Sequence, residues 1–132
     1  MKVSKADEYF SKCVREGNGN ICEWCGKHGR METSHVFSRR HRTIRWAKIN
    51  ANCLCNGCHR KWHESPLAAF DWFEAKFGEG RIQVLREKMN SKVKVPKMEE
   101  KEIAAHYRKE LKKIQEQISN GDEPPYDFES WQ

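Results

Sequence analysis

Residues 51–63 read Ala51-Asn-Cys-Leu-Cys55-Asn-Gly-Cys58-His59-Arg-Lys-Trp-His63, and a matching Cys22-Glu-Trp-Cys25 lies upstream with 29 residues between the two pairs. Each Cys-x-x-Cys knuckle offers two sulfurs from one tight turn, and two knuckles let four thiolates close a tetrahedral shell around Zn²⁺. Soft thiolates select zinc or, less often, an iron–sulfur cluster. Four protein sulfurs leave no coordination position for water, so the expected metal is structural. Cys13 and Cys53 lack knuckle spacing and read as small buried residues. The second knuckle runs straight into His59 and His63, four apart, so both imidazoles project from one face of a helix about one turn apart, the spacing of a metal-chelating pair.

Outward from that stretch, the chain divides at its turn residues. Residues 3–16 form a short amphipathic helix, with Ser4 as N-cap, an acid three residues on, and Ala6, Phe10, Cys13 and Val14 at helical spacing. Gly17 to Asn20 stop it. From Ile21 to about Asn56 no 3.6-residue period survives, and an alternating stretch through Met31, Thr33, His35 and Phe37 predicts two short strands joined by an Arg-rich loop. Ser65-Pro66 then starts a helix carrying Leu67, Phe70, Phe73 and Phe77 to Gly78, and Ile82, Leu85 and Met89 mark another ending at Asn90. A long helix over about 97–119 repeats Ile103, Tyr107, Leu111, Ile114 and Ile118, a seam expected to bury against a partner helix within the chain. The expected organisation is an N-terminal helix (1–20), a zinc-knuckle core (21–64), a helical extension (65–119) and an acidic, Pro-broken, disordered tail (120–132), giving an α+β fold.

Composition narrows the function. The chain has 132 residues, 37% of them apolar, which excludes a large ligand-enclosing fold. Its net charge is +6, and because four acids and no Lys or Arg fall in the last twelve residues, residues 1–120 carry 25 basic against 15 acidic side chains, a net +10. Such an excess seeks a polyanion, nucleic acid above all. No uncharged run approaches a membrane span and the N-terminus MKVSKADEYF lacks an apolar signal core, so the expectation is a soluble, cytoplasmic protein whose cysteines bind metal rather than forming disulfides.

The spacing of His35, Asn50 and His59 inside the knuckles resembles that of the HNH (ββα-metal) endonucleases, in which a strand His is followed after fourteen intervening residues by an Asn and after eight more by a His. His63 matches the further helix histidine of many members. The likeness covers about residues 21–64. More distantly, Phe73-Glu-Ala-Lys-Phe-Gly-Glu-Gly80 and the basic run Tyr107-Arg-Lys-Glu-Leu-Lys-Lys113 are similar to the phage lambda NinG/Rap recombination nucleases, which implies a phage or prophage origin and branched DNA as substrate. The resemblance implies a metal-dependent DNA endonuclease in which His35 is the general base, Asn50 orients the base-bearing loop or helps at the metal, and His59 and His63 hold a catalytic Mg²⁺, Mn²⁺, Ni²⁺ or Co²⁺. Ser34 stands where the family usually places an Asp or His metal ligand, which leaves three outcomes open: a weakly held ion, Glu32 on the same strand face as substitute, or DNA phosphate and water completing the shell. The other class of function these features serve is a non-catalytic zinc-ribbon-like DNA-binding or adaptor protein, which needs the tetrad but not the histidines.

Residues 27–61 hold nine Lys or Arg against one acid. Within them Arg39, Arg40, Arg42, Arg45, Lys48, Arg60 and Lys61 are the expected DNA contacts, since Arg forks grip phosphate oxygens bidentately. Trp24, Trp46 and Trp62 read as packing around the knuckles, with Trp46 beside Arg45 the one candidate for stacking on a base.

Overall fold

The computed structural model describes residues 1–131 and orders them as α1 (Lys5–Gly17), β1 (Glu32–His35), β2 (Ala51–Leu54), α2 (Asn56–Glu64), α3 (Pro66–Phe77), α4 (Glu79–Met89) and α5 (Glu100–Ser119), with single 3₁₀ turns at Lys48–Asn50 and Lys97–Glu99. The fold is α+β. β1 and β2 pair antiparallel, with Glu32 opposite Leu54 and His35 opposite Ala51.

The expected N-terminal helix forms with a full capping box. The Ser4 side chain accepts from the Asp7 N–H, and the Asp7 carboxylate accepts from the Ser4 N–H at 2.8 Å. The two-residue alternation of β1 sorts the ribbon into two faces. Thr33 and His35 face α1, where Thr33 bonds Ser11 and His35 packs against Phe10. Glu32 faces α2, bonding His59 and Asn56. Helix α5 packs on α1 through Ile103, Tyr107, Leu111 and Ile114, so its seam is satisfied within the chain. Ile118 at the seam's end stays 44% exposed.

Tyr107 is the hub of this half. Its ring meets Phe10 edge-on at 5.0 Å, its hydroxyl donates to the Trp46 carbonyl, and the same oxygen accepts from the Trp131 N–H at 2.8 Å. The other half is an aromatic cluster. Trp62 of α2 meets Phe70, Trp72 and Phe73 of α3, and Trp24 from the first knuckle stacks on Trp72 at 5.0 Å. Leu67, expected on the packed side of α3, is 83% exposed instead. Gly78, at φ +87°, breaks the chain between α3 and α4 in a conformation that disfavours a side chain.

The tail departs from its composition. Instead of being disordered, residues 121–131 run back over α1 and α5 as a strap, and Gln132 lies outside the described residues. Tyr126 and Phe128 are buried, Tyr126 N–H donates to the Gly17 carbonyl, and Glu129 N–H donates to the buried Glu110 carboxylate at 2.8 Å. A Cβ on Gly17 would meet the Tyr126 carbonyl at 3.0 Å, so any larger residue would push the strap back by a few tenths of an ångström. Asp127 is the ion partner of Lys48. Acidic composition predicts disorder only when there is too little apolar surface to bury, and three aromatics on this short segment reverse that balance. Phe128→Ala should therefore cost about 3 kcal/mol, as for other buried aromatics. Urea unfolding at neutral pH measures it, and a loss below 1 kcal/mol would mean that the strap is not seated.

Candidate metal centre and histidine site

The cysteine tetrad forms as the spacing demands. The Sγ atoms of Cys22, Cys25, Cys55 and Cys58 all lie within 4.8 Å of one another, and those of Cys25 and Cys55 are 3.7 Å apart. Four sulfurs at Zn–S bonds of about 2.3 Å with tetrahedral angles would stand about 3.8 Å apart, so the cluster has the dimensions of a zinc shell. Each knuckle turns a backbone N–H onto its own first sulfur, Cys25 onto Cys22 and Cys58 onto Cys55, both at 3.5 Å. Burial pushes the Cys22 thiol up, but backbone N–H groups of Cys25, Cys55 and Trp24 outweigh it and bring it down to about 7. Cys58 moves the other way, raised by burial and by the neighbouring sulfurs. Negative charge on one sulfur thus opposes it on the next, and a divalent cation is what lets all four ionise together. Cys13 and Cys53 stand outside the cluster, buried and pushed up to about 12 by desolvation, as inert core residues.

Helix α2 grows directly from the second knuckle, with Cys55 as its N-cap. That fixes His59 and His63 on one face, their Nε2 atoms 3.3 Å apart. Two imidazole nitrogens bound to one cation at about 2.0–2.1 Å and tetrahedral angles stand about 3.3–3.4 Å apart, so the pair has the bite of a chelate. Behind it, the Glu32 carboxylate accepts from His59 Nδ1–H at 2.7 Å and from Asn56 Nδ2 at 3.2 Å. Those bonds lower the Glu32 carboxyl below its ordinary value, the His59 bond foremost, and keep it anionic. A carboxylate on one imidazole nitrogen sets the tautomer and aims the other nitrogen's lone pair outward, the usual arrangement behind a metal-binding histidine. The sequence placed Glu32 on this face only as a substitute for Ser34; the structure makes it the residue that contacts the pair.

Ser34 does not contact it. It is fully enclosed and its Oγ has no hydrogen-bond partner, nor have Oδ1 and Nδ2 of Asn52, the residue opposite it in the sheet. Buried unsatisfied polar groups are costly, and this polar pair is a feature the sequence did not single out. Asn50 acts as a loop clamp: its Nδ2 donates to the Phe37 and Ile44 carbonyls, and its Oδ1 accepts from Phe37 N–H at 2.9 Å. This is the loop-orienting half of the role expected for it, and it makes no bond to His35.

His35 faces α1, the opposite side of the ribbon from Glu32, which meets His59. Its position is odd-numbered in β1, and alternation turns it to α1, against Phe10. Its Nε2 lies 3.2 Å from the Arg45 carbonyl. A carbonyl can only accept, so Nε2 carries the proton and Nδ1 is left as a bare acceptor. Burial lowers its pKa to about 4, so the ring is neutral at pH 7. It lines a cleft with Lys12, Arg15 and Arg39.

The Arg-rich loop is a correction. Arg45 is buried, its Nη2 and Nε forked onto Asp7 at 2.6 and 3.0 Å, and Trp46 Nε1–H donates to the same carboxylate at 3.1 Å. Trp46 is therefore enclosed and offers no stacking face. Arg39 leans on Asp7 at 3.4 Å, and Arg42 bonds Glu100 and the Val95 carbonyl. Lys48 is held by Asp127. A charge run shows the sign of a segment but not its partners, and these acids lie far off in sequence. Of the expected DNA contacts, Arg40, Arg60 and Lys61 are exposed, with Lys61 over the Trp24 ring and Arg60 bonded to Asn56.

No protein-family model, curated protein or solved structure matches the chain. Among the described residues no helix is long and apolar enough to cross a membrane.

Proposed function

We propose that this protein is a metal-dependent DNA endonuclease in which a structural zinc occupies the cysteine tetrad and a second divalent ion is held by His59 and His63. The observation that carries it is the chelating bite of the two Nε2 atoms with Glu32 fixed behind His59, on a helix nucleated by the knuckle and packed on a two-stranded ribbon. The ββα order, the tetrad and the histidine pair are the features that the likeness to HNH nucleases implied. Such an ion neutralises charge on the scissile phosphate and the departing oxygen. His59 and His63 offer only neutral nitrogens, so ions that accept imidazole, Mn²⁺, Co²⁺ and Ni²⁺, should work at lower concentration than Mg²⁺. His35 supplies a neutral imidazole with a fixed tautomer and a free Nδ1, the state a general base needs.

The rival is a zinc-knuckle protein that binds DNA or an adaptor partner without cutting, and the opposite facing of His35 and Glu32 on the ribbon favours it. Incubation with plasmid and with a four-way junction, with and without each ion, decides between them. Cutting should require added metal. His59→Ala should reduce it at least about a hundredfold and Glu32→Gln by about 10–100-fold, the range for loss of a metal ligand's partner, with DNA affinity nearly intact. No cutting under any condition would favour the binding protein, and metal-independent cutting would overturn the role given to His59 and His63.

A further inference from the structure

With most of its Arg loop consumed in internal ion pairs, the chain's excess positive charge must be displayed elsewhere. The α5 stripe Lys101, Arg108, Lys109 and Lys112 is exposed, and none of the four forms an ion pair among the described residues. It borders an open groove of ≈ 770 Å³ between α1 and α5, whose α1 rim adds Lys5. Ala104 and Ala105 keep the floor shallow and Tyr9 covers it from α1. The one carboxylate lining the groove, Glu100, is neutralised by Arg42 at 2.8 Å.

We infer that this groove is a docking surface for the phosphodiester backbone of duplex DNA. From Lys101 to Lys112 the helix rises about 16 Å, close to the length of five base steps along one strand, so the stripe follows a phosphate row rather than one anion. A low alanine floor lets a backbone approach, where a folded acidic protein would require matched apolar contacts as well. The groove lies on the α1 side of the ribbon, the side on which His35 opens. Helix α1, about 10–12 Å across, separates it from the His35 cleft, where Lys12 and Arg15 stand beside Glu8 and the Arg39–Asp7 pair, so one duplex can touch both. The choice of DNA among polyanions rests on the nuclease reading; the charge geometry does not.

The test measures binding of a fluorescein-labelled 20-base-pair duplex by anisotropy between about 0.05 and 0.3 M salt. Each phosphate contact contributes about 0.9 to the log–log salt slope, so Lys101→Gln, Arg108→Gln, Lys109→Gln and Lys112→Gln combined should flatten it by about three and a half and weaken binding about a hundredfold or more near 0.1 M. A control removing Lys88, Lys92 and Lys94 should leave both nearly unchanged. Zinc content and thermal midpoint report that each variant is folded. Hydrolysis of bis(p-nitrophenyl) phosphate with Mn²⁺, which needs the histidine site but no duplex grip, should be the same in the groove variant and the parent protein. That assay fails alone if the nuclease reading is wrong and the groove is right. An unchanged slope, an equal loss in the control variant, or preference for polyglutamate over the duplex overturns the groove.

Discussion

Cys55→Ser should empty the metal cluster and unfold the knuckle core, although the substitution is nearly isosteric. Cys55 has two roles: it belongs to the tetrad, and it is the N-cap of α2, where its sulfur accepts the Cys58 N–H. Serine caps a helix well, so capping survives and the metal role alone is removed. Structural zinc sites contribute about 10–16 kcal/mol in small domains, as large as the whole stability of a typical domain at about 5–15 kcal/mol. β1, β2 and α2 are short, and the tetrad ties the first knuckle to the helix carrying His59 and His63 at the end of the ribbon where Glu32 faces Leu54. Loss of metal should therefore also abolish any activity of that pair. Metal analysis and circular dichroism of the variant, beside Cys53→Ala as a buried cysteine outside the cluster, measure this. A folded Cys55→Ser protein free of zinc would show that the core stands on apolar packing alone.

Where the sequence was informative, the signal was local. Two sulfurs in a turn, two histidines at i and i+4, and a serine three residues before an acid are short-range patterns whose geometry the backbone imposes, and the tetrad, the histidine pair and the Ser4–Asp7 capping box all form. Where it was misleading, the partner was distant. Nothing near Arg45 shows that Asp7, on the first helix, will take its guanidinium, or that Glu100 will take that of Arg42. The strap is similar, because its aromatics become core only once α1 and α5 offer them a groove. The facing of His35 was readable. Strand alternation alone puts residue 35 on the face opposite residues 32 and 34, so a Glu32 that serves His59 already implies a His35 that does not.

The largest effect outside the metal cluster should come from Asp7, whose carboxylate gathers the Arg45 fork, the Trp46 indole and the Ser4 cap. Asp7→Ala leaves a buried guanidinium without its partner, and breaking a buried pair from one side costs about 3–5 kcal/mol. Most of that cost is the stranded charge, so Asp7→Ala with Arg45→Met should recover a substantial part of it. Burial raises the Asp7 carboxyl, but the bonds from Arg45 and Ser4 outweigh it, and the net position is below the ordinary 3.8. A carboxyl lowered in the folded state stabilises fully above its unfolded value, and that contribution fades as pH falls from about 3.8 through the folded value. Urea unfolding between pH 7 and 3 should show the wild-type protein losing this contribution on acidification, while Asp7→Ala lacks it throughout. The consequence reaches His35. Burial holds its pKa down at about 4 against two opposing pulls, the Arg45 carbonyl on Nε2–H and the negative charge of Asp7, so Asp7→Ala should lower it further while the ring stays buried. Imidazole NMR titration reads that shift directly. If the His35 titration does not move while stability falls, the ring is set by Phe10 and burial alone, and Asp7 is a structural anchor with no electrostatic hold on the histidine.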